Sequence, residues 1–139
     1  MSRLVAAALA LATAACSDVL PDDARDPAAR CIRLNAQPIP PTARDPHAGT
    51  KNVYVCDADP DRRPFPDGTL VVKQSTRAGE SFPWLVATAR KRAGAWQWDE
   101  YTRNFADEEL VHNLAAESVC TGCHVRARDL DWIFTSFDR

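Results

Sequence analysis

The chain has 139 residues, 45% of them hydrophobic, and a formal net charge of −2. That length suits one compact domain and is too short for two, and the apolar share is ordinary for a globular protein. The charge balance excludes a basic nucleic-acid-binding stripe and a long tail of like charge.

The chain begins MSRLVAAALALATAAC, with Arg3, an apolar run from Leu4 to Ala12 and small residues up to Cys16. This is the pattern of a secretory signal over residues 1–15, and it is shorter than the roughly 20 apolar residues that span a bilayer. Ala14-Ala15-Cys16 fits a bacterial lipobox, apart from Thr13 where Leu is usual. Lipidation of Cys16 would anchor a periplasmic protein to its membrane; plain cleavage after Ala14 is the alternative. Residues 16–35 read as a tether and N-terminal segment, with a weakly signalled helix from Ala24 to Leu34, and residues 36–139 as the folded domain.

Asn52 to Cys56 (NVYVC) is β-branched and aromatic and predicts a strand. Pro66-Asp67-Gly68 suits a tight turn, and Thr69 to Ser75 (TLVVKQS) predicts the next strand, with Val71 and Lys73 on one face and Leu70 and Val72 on the other. Ser81 to Arg90 predicts a third strand. A turn at Gly94 leads into AWQWDEYT, where Trp96 and Trp98 share a face as core residues. The period then changes: Asp107 to Val119 has Leu110, Val111 and Leu114 at helical spacing and acidic residues in its first turn, which predicts a helix. The aromatic stretch ARDLDWIFTSF is expected to pack back on the core. The fold class is therefore α+β, an antiparallel β-sheet with flanking helices.

Chemistry concentrates in CTGCH, Cys120 to His124. Two thiols could supply half of a tetrahedral zinc site, but Cys31, Cys56, His47 and His112 form no second close pair. A thioredoxin-type dithiol starts a helix in a βαβ context, which is absent here. Cys-x-x-Cys-His is also the signature of c-type haem attachment: Cys120 and Cys123 form thioethers to the vinyl groups, and His124 ligates iron. The adjacent histidine and the export signal favour this third reading. With Cys16 lipidated and the motif pair used, Cys31 and Cys56 remain as one candidate disulfide in an oxidising compartment. Two separate buried thiols are the alternative.

The chain's one methionine is Met1, so methionine is not the sixth iron ligand. Among the other histidines, His112 reads as a surface residue and His47 as a loop residue able to ligate metal. The expectation is a five-coordinate haem open to a small molecule.

In their order, HAGTKNVYV, FPDGTLVVK, AWQW and CTGCHVRARDLDWIFTSF resemble the cytochrome P-460 family over roughly residues 44–137. The resemblance implies a β-rich fold, a homodimer, one haem c attached near the C-terminus, and chemistry on hydroxylamine or nitric oxide. It implies that Lys73 is the lysine joined covalently to the haem macrocycle; on its own, Lys73 reads as an ordinary strand lysine. It places Lys51 where the family has a distal arginine that donates to a bound anion or diatomic. The hydroxylamine-oxidising members carry a distal glutamate in the third strand. The nearest match here is Val86, with Glu80 as a more remote substitute, so the sequence predicts an apolar pocket capped by Phe82 or Trp84. Three roles follow: hydroxylamine oxidation with electrons passed to a partner cytochrome, nitric oxide binding or sensing, or electron transfer with His47 as a sixth ligand.

Overall fold

A computed structural model describes residues 18–43, 45–113 and 117–134. The signal segment and Cys16 lie outside the described residues. Two single-turn helices, α1 (Asp22–Arg25) and α2 (Pro27–Arg30), lead into an antiparallel sheet of β1 (Ile32–Arg33), β2 (Thr50–Cys56), β3 (Leu70–Thr76), β4 (Leu85–Arg92), β5 (Ala95–Thr102) and β6 (Val111–His112), followed by α3 (Glu117–His124) and a 3₁₀ segment, Val125–Leu130. Strand order in the sheet follows chain order, a pure meander. The α+β architecture is thus observed.

Local chemistry explains most boundaries. One helix from Ala24 to Leu34 does not form, because Pro27 forces Asp26 out of helical geometry (φ −128°, ψ 72°) and splits the segment into two turns. Ala93 and Gly94 both take positive φ (49° and 78°), as the two-residue hairpin turn between β4 and β5 requires. β4 starts at Leu85 rather than Ser81, after Pro83, which has no N–H to give the sheet.

Over residues 107–113 the helix expected from Asp107 to Val119 does not form. Leu110 is buried, and its carbonyl accepts the Leu20 N–H; the His112 N–H donates to Asp18 and the Asn113 N–H to Glu100. Those backbone groups are satisfied by β5 and the N-terminal segment, so tertiary pairing overrides helical spacing. Leu114 to Ala116 lie outside the described residues, and α3 contains the CTGCH motif instead of preceding it.

Alternation gives the sheet two buried faces. Cys56, Leu70, Val72, Val86 and Tyr101 pack on one, beneath Leu20, Ala24 and Leu110. Val53, Val55, Val71, Ala89, Trp96 and Trp98 pack on the other, against Phe65 and Ile133, with Cys120 and Trp132 at the margin. The stretch expected as a tether is therefore, in its described part, built into the fold. Cys31 and Cys56 form a disulfide that ties it to β2. The tail packs back as expected: Ala127 and Ile133 are buried, and Thr135 to Phe137 lie outside the described residues.

Removing the Cys31–Cys56 crosslink, which closes a separation of 25 residues, should cost about 3 kcal/mol of stability by releasing chain entropy in the unfolded state. Urea denaturation of the Cys31→Ala/Cys56→Ala protein measures this; an unchanged midpoint would contradict it.

Candidate functional site

The antiparallel register fixes which side chains share the second face. Val53 pairs with Lys73, Lys73 with Ala87, and Ala87 with Glu100. Directly opposed residues point the same way, so this row presents an ammonium and a carboxylate on either side of a methyl group. The next row is Val55, Val71, Ala89 and Trp98. Small residues at 87 and 89 leave room above β4, and a cavity of about 430 Å³ opens there. Its walls include Lys73, Glu100 and His47 at the polar end, and Val119, Cys120, Cys123 and His124 from α3.

At the polar end, the Lys73 ammonium contacts Nδ1 of His47, and His47 Nε2 lies 3.0 Å from a Glu100 carboxylate oxygen. An ammonium can only donate, so Nδ1 accepts and Nε2 carries the proton that is given to Glu100. Electrostatics agree with this arrangement. Burial, aided by the Lys73 charge, lowers the His47 pKa to about 4 and keeps the ring neutral. Burial also lowers Lys73 to about 8, against the pull of Asp45. Burial raises Glu100, with Lys73 opposing.

Lys51 sits in the cavity wall but is committed to the loop that carries His47. Its ammonium pairs with Asp45 and donates to the carbonyls of Gly49 (2.9 Å) and His47 (3.3 Å), which uses all three hydrogens. Burial opposes ionisation of Asp45 most strongly, but the Lys51 bond, the His47 N–H and the charges of Lys51 and Lys73 together hold the carboxyl below its usual range. Lys51 thus shapes the His47 loop; the geometry leaves it no hydrogen for a bound anion. Gly49 makes this loop feasible: its φ is +104°, and a Cβ there would lie 2.3 Å from the Thr76 carbonyl oxygen.

The α3 wall carries the motif. His124 Nδ1 donates to the Trp132 carbonyl at 2.7 Å, which leaves the Nε2 lone pair for a metal. Trp98 and Phe134 flank the ring at 4.4 and 5.2 Å between centroids. Burial lowers the His124 pKa and favours the neutral, ligating form. Cys120 and Cys123 are free thiols. Burial, reinforced by Glu100, raises the Cys120 pKa, opposite to what a reactive dithiol needs. Among the described residues no group of His, Cys, Asp or Glu converges to hold a bare metal ion, so the thiols lack the further ligands of a zinc site. A flat apolar group suits the wall better: α3 buries none of its residues, and Val119 is 64% exposed beside the cavity.

Several sequence expectations are relocated. Val86 is fully buried on the opposite face, with Leu70 and Tyr101, and does not line the cavity. Trp84 donates to the Ala48 carbonyl beneath Arg77, and Phe82 stacks with Arg103, so neither caps the cavity. Glu80 pairs with Arg77 outside it. His112 on β6 is bound to Asp99 of β5 and does not line the cavity. His47 does face the cavity, with both ring nitrogens engaged. The residue missed was Glu100. Counting back from the Ala93-Gly94 turn places it opposite Ala87 and in the row of Lys73, a signal present in the sequence.

No family model matches the chain, and no curated protein or solved structure matches it either.

The His47 shift gives a pH dependence. Its folded pKa is about 4 against an ordinary 6.5, so the unfolded chain takes up the proton first. Stability from this group is complete above pH 6.5 and is lost as pH falls through about 4. Urea midpoints measured across that window should fall with pH, and His47→Gln should flatten the slope.

Proposed function

We propose that the chain is an exported mono-haem c-type cytochrome of the cytochrome P-460 type, acting on hydroxylamine or a related small nitrogen compound. The observation that carries this reading is a cavity bounded by Cys120, Cys123 and His124 on one wall and by the Lys73–His47–Glu100 chain on another. The two thiols would hold the haem and the His124 imidazole would ligate its iron. When bound, the haem supplies the redox centre at which the nitrogen compound is held and its electrons leave for a partner cytochrome.

The remaining work falls to the protein. Oxidation of hydroxylamine releases protons, and a base must be in reach. Glu100 is suited to accept them, because burial raises its affinity for a proton, and His47 donates to its carboxylate and fixes its direction. Lys73 faces the same space, where an amine could join the macrocycle as the resemblance implies. Val53, Val71, Ala87 and Ala89 make the rest of the lining apolar, which restricts access to small molecules.

Nitric oxide binding without turnover is the second reading. The apolar lining favours it, whereas the charged row on β3 and β5 favours proton-coupled oxidation. Electron transfer with His47 as a ligand would require its Nδ1 to release the Lys73 ammonium, or its Nε2 to lose both its proton and Glu100.

Protein made in a host competent for cytochrome c maturation should stay coloured after acid-acetone extraction, with one haem per chain. Cys120→Ala/Cys123→Ala should lose the colour. A strongly red-shifted ferrous Soret band, abolished by Lys73→Arg, would establish the link to Lys73. Hydroxylamine-dependent reduction of an acceptor should fall by about 10²–10⁴-fold in Glu100→Gln, the usual contribution of a general base, while nitric oxide binding is retained. No hydroxylamine turnover in the wild type, with tight nitric oxide binding, would select the second reading.

A further inference from the structure

Behind His124 the chain adopts an unusual backbone. Asp131 and Trp132 both have positive φ, 56° and 69°, and neither is glycine. A bulky aromatic residue in this region is an outlier that surrounding contacts must hold in place. The turn is where the Trp132 carbonyl is aimed at Nδ1 of His124, at 2.7 Å.

The contacts that hold it are specific. One oxygen of Asp131 accepts the Lys91 ammonium at 2.5 Å and the Phe65 N–H at 2.8 Å. The side chains of Lys91 and Asp131 are only 6% and 15% exposed. Lys91 comes from β4, and its ammonium lies 5.4 Å from the centre of the Trp96 ring. The Trp132 N–H donates to Ala127, which closes the turn on the 3₁₀ segment. A continuous path therefore runs from the sheet through Lys91, Asp131 and Trp132 to His124. A buried ion pair adds little net stability over apolar residues of the same volume, and its best-attested use is to fix one arrangement.

We propose that the Lys91–Asp131 pair is a positioning device for the His124 imidazole: it holds the left-handed turn so that the Trp132 carbonyl stays on Nδ1 of His124 and sets the donor strength of Nε2. Hydrogen bonding at the far nitrogen fixes the tautomer of a ligating histidine and raises its basicity. A more basic ligand stabilises the ferric state, so a firmly held carbonyl lowers the reduction potential. Neither Lys91 nor Asp131 lines the cavity, so both would act only through His124. The inference rests on the haem reading above.

The test uses haem-loaded protein and three readouts: haem content per chain, the ferrous iron–histidine stretching frequency, and the midpoint potential. Lys91→Met should keep one haem per chain, lower the stretching frequency and shift the potential upward. Lys91→Arg, which restores a cation to Asp131, should return both towards wild type. Should Lys91→Met fail to fold, Asp131→Asn keeps an acceptor for Phe65 and should shift both readouts in the same direction, by less. Wild-type frequency and potential in a folded Lys91→Met or Asp131→Asn protein, whatever its melting temperature, would overturn the positioning role while leaving the haem reading intact. Wild-type protein that matures without haem would instead overturn the haem reading, and this inference with it.

Discussion

The site depends on one constraint, the two-residue alternation of side chains across an unbroken antiparallel meander. Because β2 to β5 pair without a crossover, each row of opposed residues is fixed once the registers of the three successive strand pairs are fixed. A slip of one residue between β4 and β5 would send Glu100 to the face of Tyr101 and bring Asp99 into the row of Lys73. It would also turn Trp98 away from His124. The Ala93-Gly94 turn prevents that slip, and the large residues on both faces penalise it. The sheet is buried on two sides, so a register shifted by one residue cannot hide Val72 and Val86 on one face together with Val71 and Trp98 on the other.

This constraint also explains what could be read from the sequence. The β-branched runs at 52–56 and 69–75 and the Gly94 turn announce themselves, because their propensities agree with the tertiary structure. The parity of Val71 and Lys73 is legible for the same reason. The segment at 107–113 misleads because its hydrogen-bond partners come from residues 18–20 and from β5, far away in the chain. Val86 misleads for a different reason. A position was matched along the chain, whereas the cavity is defined across strands, and the carboxylate that lines it, Glu100, comes from the neighbouring strand. The constellation of Lys73, His47 and Glu100 was only half legible: nothing in ARDPHAGT alone says that a loop will fold its imidazole between two strand residues 26 and 53 positions away.

The polar end of the cavity works against stability. It holds an ammonium, an imidazole and a carboxylate in partly buried positions, together with the Asp45–Lys51 pair that shapes the loop. Each carries a desolvation cost that hydrogen bonds only partly offset. An apolar filling would serve the fold better, and the opposite face of the same strands has one. The asymmetry between the two faces separates what the fold needs from what the site needs, and it lies along β3 and β5 residue by residue.

β4 joins the two halves of this arrangement. On its cavity face, Ala87 stands in the row of Lys73 and Glu100, Ala89 in the row of Trp98, and Lys91 opposite Trp96. Successive rows on one face of a strand are separated by about 7 Å, so the proton-handling row and the Lys91 row lie about 13 Å apart along one rigid element. In the proposed reading Glu100 and His47 would handle protons at one end, and Lys91 would act on the imidazole at the other through Asp131 and the Trp132 carbonyl. Neither end touches the other, and both are fixed by the same hydrogen-bonded strand. The two small residues between them keep the intervening space open. A larger side chain at 87 or 89 would preserve both ends and still remove the volume they serve, which is why alanine at these positions belongs to the site as much as the charged residues do.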